Sequence, residues 1–198
     1  MNGSLKNVIC LTAITLVAGL SLGYVYDLTK EPIARMEENT KLEAYKAVFP
    51  EAETFGQEEP ADATYVLDQL PEGCEILSSV EACDASGNNI GYVINVVTHE
   101  GYGGDISLSM GVDSEGCVRG VEILKIGETA GLGMKAKEEK FISQFANKTV
   151  TQFAYTKTGA SADFEIDALS GATITTKAVT NAVNAGLAYF QSLGGAGI

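Results

Sequence analysis

The sequence predicts an α+β protein, a mainly antiparallel sheet with flanking helices, preceded by one N-terminal transmembrane helix. Three observations carry this. Residues 74–126 contain β-rich runs separated by turn chemistry, residues 174–193 repeat apolar side chains at helical spacing, and residues 7–26 contain no charged residue.

The charge-free run VICLTAITLVAGLSLGYVY approaches the ~20 apolar residues needed to cross a bilayer. Lys6 lies on one side of it and Asp27 and Glu31 on the other, which puts the N-terminus in the cytoplasm and the body of the protein outside. A cleaved signal peptide is the alternative, since Ser21-Leu22-Gly23 resembles a small-residue cleavage site. Tyr24 and Tyr26 suit an aromatic belt at the far interface of a retained anchor. The expected organisation is a tail and anchor over 1–26, a membrane-proximal helix and connection over 27–63, and an extracytoplasmic domain over 64–198.

Residues 28–49 read as the membrane-proximal helix, with Pro32 near its start and Ile33, Met36, Leu42, Tyr45, Val48 and Phe49 at mostly helical spacing, ending at Pro50. Residues 51–63 are acidic and read as a solvated connection. Cys74–Cys83 and Ile90–Thr98, separated by Ser86-Gly87-Asn88-Asn89, read as paired strands, and Ile106–Val112 and Cys117–Ile126 form a second hairpin about Asp113–Gly116. A helix is expected around 135–146. The last helix, 174–193, carries the stripe Ile174, Ala178, Ala182, Val183, Leu187, Phe190 and Leu193, with a frayed tail from Gly194.

The 198 residues include 13 basic and 26 acidic side chains, a net charge of −13. Such a balance repels a phosphate backbone, so nucleic acid is not an expected partner. Cys10, Cys74, Cys83 and Cys117 form no CxxC pair, haem-attachment motif or zinc spacing, so free or buried thiols are expected and no metal site is assigned. His99, the sole histidine, has no visible cluster of partners and reads as structural, and Lys135 and Lys137 read as solvent-facing.

The chemistry-bearing stretch is Asp167-Ala-Leu-Ser170-Gly171-Ala172-Thr173, placed before the last helix. A helix N-terminus offers free N–H groups and partial positive charge, so a phosphate at Thr173 would meet ready donors, and Gly171 and Ala172 leave it room. Taken alone, the stretch reads first as a plain helix start with Ser170 or Thr173 as N-cap, because short Ser/Thr/Gly motifs are common. Two glycine-rich loops at strand ends add to it: Gly101-Tyr102-Gly103-Gly104-Asp105, and Glu128-Thr129-Ala130-Gly131-Leu132-Gly133. Tyr102 and Leu132 could contact a planar ring, and Glu128 either hydrogen-bonds the edge of that ring or caps a loop.

In this order the three motifs resemble the FMN-binding domain family of the Rnf-type and sodium-pumping NADH:quinone oxidoreductase complexes, over residues 90–185. The resemblance implies that D-x-x-S/T-G-A-T is read by a flavin transferase, which esterifies FMN phosphate to the final threonine, here Thr173. Ser170, Thr175 and Thr176 are the lesser hydroxyl candidates. Ala130 stands where many members have proline, an exchange that removes no N–H donor. LEAYKAVFP resembles the membrane-proximal region of the G subunit of Rnf complexes. The implied role is electron relay within an ion-translocating ferredoxin:NAD oxidoreductase, beside other membrane subunits, with no catalytic residue of its own. A stand-alone anchored flavoprotein and a non-redox binding ectodomain remain the alternatives.

Overall fold

The computed structural model describes residues 3–61 and 70–194. The expected boundary at 63/64 and the tail beyond Gly194 lie outside the described residues. Residues 1–40 and 41–198 are two compact units.

The first unit is helical. Helix α1 runs unbroken over Gly3–Val48 with Pro32 inside it, so the expected span and the membrane-proximal helix after it are one. A proline deletes one backbone bond, and the intact turns on both sides carry the helix through it. Its apolar segment has a mean hydropathy of 2.1 and no buried residue, and is long and apolar enough to cross a membrane. The hydroxyls of Thr12, Thr15 and Thr29 donate to carbonyls one turn back, which satisfies them without a partner outside the helix.

In the second unit the described residues build a seven-stranded antiparallel sheet. Its strands are β1 (Thr54–Phe55), β2 (Glu59–Pro60), β3 (Cys74–Cys83), β4 (Asn89–Thr98), β5 (Ile106–Asp113), β6 (Cys117–Ile126) and β7 (Lys148–Thr149). The order is β1-β3-β4-β5-β6-β7, with β2 also on β3. Residues 54–60 therefore add two short strands where a solvated connection was expected, because they cover part of the open edge of β3. Both long hairpins turn on one device: Asp84, the residue after β3, and Asp113, the last of β5, each accept backbone N–H groups two and four residues on.

Helix α3 (Thr173–Ser192) packs on one face of the sheet, where Ile94, Val96, Leu108 and Met110 meet Ala178, Ala182, Val183, Leu187 and Phe190. Two members of the expected stripe do not belong to it: Ile174 is 52% exposed and Leu193 39%. The helix expected at 135–146 is split into a 3-10 turn (Gly133–Lys137), one turn of α-helix α2 (Glu139–Ile142) and a second 3-10 turn (Ser143–Phe145). Phe141 and Phe145 stay buried although the helical register breaks between the pieces. A small parallel pair, β8 (Ala154–Thr156) with β9 (Glu165–Asp167), follows.

The other sheet face receives the last turn of α1. Tyr45, Val48 and Phe49 are buried against Val80, Ala82 and Val93, so β4 is covered on both faces and reads as a nearly continuous apolar run. Close approach requires glycine: a Cβ at Gly111 would sit 2.4 Å from the Val48 carbonyl oxygen, and one at Gly120 3.0 Å from Val48 Cα. A buried polar network anchors the same contact. Asn95 Nδ2 donates to Tyr45 Oη at 2.7 Å and to Ser78 Oγ at 2.9 Å, and Ser109 Oγ donates to Asn95 Oδ1 at 2.6 Å. Burial disfavours the nearby Glu58 carboxylate, but hydrogen bonds from Ser78, Lys41 and Asn95 outweigh that and hold its pKa below the ordinary value.

Asn184, buried on α3, imitates a strand toward Phe153, accepting its N–H at 2.8 Å and donating to its carbonyl at 2.9 Å. Asn184→Ala strands both groups in the core and is expected to cost roughly 2–4 kcal/mol. Thermal unfolding of the full chain in detergent measures it, and an unchanged midpoint refutes the role.

Candidate functional site

The N-terminus of α3 is held by backbone rather than by a side-chain cap. Its N-cap residue is Ala172, which makes no side-chain capping bond, so neither Ser170 nor Thr173 is the cap that a plain helix start would use. The chain enters through a turn in which Ala172 N–H donates to the Leu169 carbonyl at 3.0 Å and Gly171 has φ +76°. Left-handed φ suits glycine, and Leu132 Cδ2 would stand 3.1 Å from any Cβ there.

Thr173 opens the helix and lines a depression of about 620 Å³ together with Gly171, Ala172, Ile174, Thr175, Tyr102, Glu128, Thr129, Leu132 and Gly133. The volume is within the range of small-molecule and cofactor sites. Apolar groups dominate its rim, since Tyr102, Leu132 and Ile174 are all exposed. Ile174 was not expected here, and Thr175 was expected only as a lesser hydroxyl candidate. Ile174's place in the helical stripe pointed it inward, whereas its position next to Thr173 was the available signal.

The hydroxyls around the depression differ sharply in access. Thr175 and Thr176 are buried, whereas Thr173 is half-buried and Ser170 exposed. Ser170 and Asp167 border a separate depression of about 430 Å³, with Lys135 and Gln144. The Asp167 carboxylate accepts the Ala160 N–H at 2.5 Å, and its own N–H donates to Gln144 Oε1 at 2.7 Å. Residues contiguous in the motif thus part at Gly171, because the turn redirects the chain.

The glycine loops act as scaffolds. Buried Glu128 accepts the Tyr102 N–H on Oε1 at 2.7 Å, so its carboxylate braces one loop against the other. A Cβ at Gly133 would meet both Glu128 Oε2 and Thr175 Oγ1 at 2.7 Å. Gly101 and Gly103 pack against backbone, a Cβ on the first lying 2.1 Å from the Gly104 carbonyl and on the second 2.3 Å from that of Gly127. Gly104 and Gly131 have positive φ. These four glycines shape the loops, while Tyr102, Glu128, Thr129, Leu132 and Gly133 face the depression.

Sequence reasoning missed Glu100, which ties the first loop to α3 by accepting Lys177 Nζ at 3.0 Å and Asn181 Nδ2 at 2.9 Å. Lys177 beside it holds the Glu100 carboxyl below its usual range. At the base of the loop, His99 Nδ1 lies 2.8 Å from Asp105 Oδ1, and this hydrogen bond raises the His99 pKa above the ordinary value. A raised value means that the contribution to stability is present in acid below the unfolded-state pKa and is lost as pH rises through the folded-state one. An NMR titration is expected to find His99 above about 6.5 and falling in Asp105→Asn; an identical midpoint in both proteins rejects the pairing.

The four cysteines are free thiols, and burial pushes the Cys74 thiol up. Lys135 and Lys137 are exposed. Among the described residues no cluster of His, Cys, Asp and Glu could hold a metal ion.

Residues 101–188, which contain every wall of the depression, match the family model of the FMN-binding domain. Over 188 residues the chain is 31% identical to the G subunit of the Na(+)-translocating ferredoxin:NAD(+) oxidoreductase complex of Acetobacterium woodii, covering 92% of this chain and 89% of that protein. It is 30% identical to the G subunit of the ion-translocating oxidoreductase complex of Methanosarcina acetivorans, with 94% of each covered. The fold is similar to that of Shewanella oneidensis NqrC, with a TM-score of 0.51 and 17% identity over 75% of this chain and 74% of that one. Identity at this level, held from the apolar helix through α3, means that the chain belongs to the family of G subunits of ion-translocating oxidoreductase complexes.

Proposed function

We propose that this chain is the electron-relay subunit of an Rnf-type ferredoxin:NAD oxidoreductase complex, carrying FMN joined by a phosphoester to Thr173. The observation that carries the reading is access. Of the threonine hydroxyls in the first turn of α3, Thr173 is the accessible one, and it borders a depression rimmed by Tyr102, Leu132 and Ile174. The first-turn N–H groups would hold the phosphate, and the three apolar side chains would cover part of the ring. Bound flavin accepts and releases electrons singly or in pairs, which suits a relay.

Interactions with a helix terminus contribute only ~0.3–1 kcal/mol each, so a covalent link keeps the cofactor where free flavin is scarce. Forming it needs an activated flavin phosphate, such as a flavin dinucleotide, and a flavin transferase. Thr173 Oγ attacks phosphorus, the anhydride bond to the departing nucleoside monophosphate breaks, and the hydroxyl proton passes to a base of the transferase. Glu128 holds the Tyr102 loop in place, and Gly133 leaves room for its carboxylate. The apolar helix anchors the chain once, with the N-terminus cytoplasmic and the flavin domain outside, beside the other membrane subunits of the complex.

The test is expression of the full chain with a flavin transferase, followed by denaturation. The denatured band is expected to fluoresce as flavin, and the chain mass to rise by one FMN less water. A dark band with unchanged mass overturns the covalent reading. Co-purification with hydrophobic subunits supports the complex, and isolation without them supports a stand-alone flavoprotein.

A further inference from the structure

We infer that Thr176 is a positioning residue for flavin attachment, its hydroxyl stapling together both ends of the turn that presents Thr173. The inference rests on the reading that Thr173 is the acceptor. Thr176 is fully buried, and its Oγ1 makes two bonds: it accepts the Leu169 N–H at 3.0 Å and donates to the Ala172 carbonyl at 2.9 Å. Leu169 and Ala172 are the first and last residues of the Leu169-Ser170-Gly171-Ala172 turn, already closed by the Ala172 N–H to Leu169 carbonyl bond. A single oxygen thus clamps the whole segment preceding the acceptor.

The Ala172 carbonyl also accepts the Thr176 backbone N–H at 3.0 Å, so the staple joins the turn to the first hydrogen bond of α3. No side chain caps this helix start, which leaves Thr176 to fix the entry of the chain from within the first turn. Thr176 is itself excluded as an acceptor, because its oxygen is buried and both its bonds point into the protein. Its contribution is to hold Ser170 and Gly171 in a single arrangement outside the helix, so that the Thr173 hydroxyl meets the flavin phosphate in one orientation. Misplacing a reacting group by about 1 Å can cost two orders of magnitude in rate.

The test follows attachment of flavin over time to the full chain in detergent, with transferase and flavin dinucleotide, read as fluorescence of the denatured band and by mass. Thr176→Val keeps the shape and removes the hydroxyl, and is expected to label roughly ten- to a hundredfold more slowly. Thr176→Ser keeps the oxygen and is expected to label at the wild-type rate. A Val variant that labels like wild type, or a Ser variant as slow as Val, overturns the inference while leaving Thr173 as acceptor. Labelling of Thr173→Ala overturns the reading beneath it instead. Should Thr176→Val not fold, amide hydrogen exchange at Leu169 decides: protection in wild type and in Thr176→Ser is expected, and free exchange in either overturns the staple.

Discussion

Thr173→Ala is expected to leave the protein folded and wholly without covalent flavin. The side chain begins a helix whose N-cap is Ala172 and which makes no side-chain capping bond, so removing it takes away neither a cap nor a core group. Alanine is also the better helix former, and unfolding should shift by less than about 1 kcal/mol. Fluorescence of the denatured band should vanish, because Thr175 and Thr176 are buried and cannot replace the lost oxygen. Ser170 is exposed but lies across the Gly171 turn on another depression. Persistent fluorescence in Thr173→Ala that is lost in the double variant with Ser170→Ala would move the attachment point to Ser170.

The second large effect belongs to Gly111→Val, which should loosen the domain at a point remote from the flavin motif. Its first added carbon alone would stand 2.4 Å from a backbone oxygen of Val48, and backbone at the end of a buried helix turn has no cheap way to retreat. Overpacking of this kind costs about 3 kcal/mol. For a chain of this size that corresponds to a fall of roughly 6–12 °C in Tm. Gly111→Ala should fall between wild type and Val. A Val variant in detergent that melts with the wild type would show that the helix end does not pack on β5.

The hairpins were legible because their instructions are local: an aspartate closing a strand, a glycine at positive φ and alternating side chains suffice for β3 to β6. The body of α3 was legible for the same reason. Features built from distant partners were not. Asn184 looks like any polar helix residue until Phe153 is beside it, and Gly111 and Gly120 look like weak points in strands until Val48 arrives. Two loops were found as glycine clusters at strand ends and the third stretch by its place before the last helix, and Tyr102, Leu132 and Thr173 do share one depression. Ile174 was misassigned because helical spacing alone does not say which residues of the first turn are covered: Thr175 and Thr176 are buried, while Ile174 borders the depression. Asp167 and Ser170 were grouped with Thr173 as one motif, and the change of direction at Gly171, which places them on a different depression, was not legible in the motif.

The burial of Tyr45, Val48 and Phe49 has a consequence for release of the domain from its anchor. The terminal turn of α1 forms part of the folded body: those three side chains pack on one face of the sheet, and Tyr45 joins the Asn95 network. A protease that cuts before Lys41 frees a domain with its core complete. One that cuts after Phe49 sheds a fragment with an open apolar face and Asn95 deprived of its tyrosine. Release of an intact domain therefore requires cleavage on the N-terminal side of Lys41, and limited proteolysis should yield stable fragments only from there.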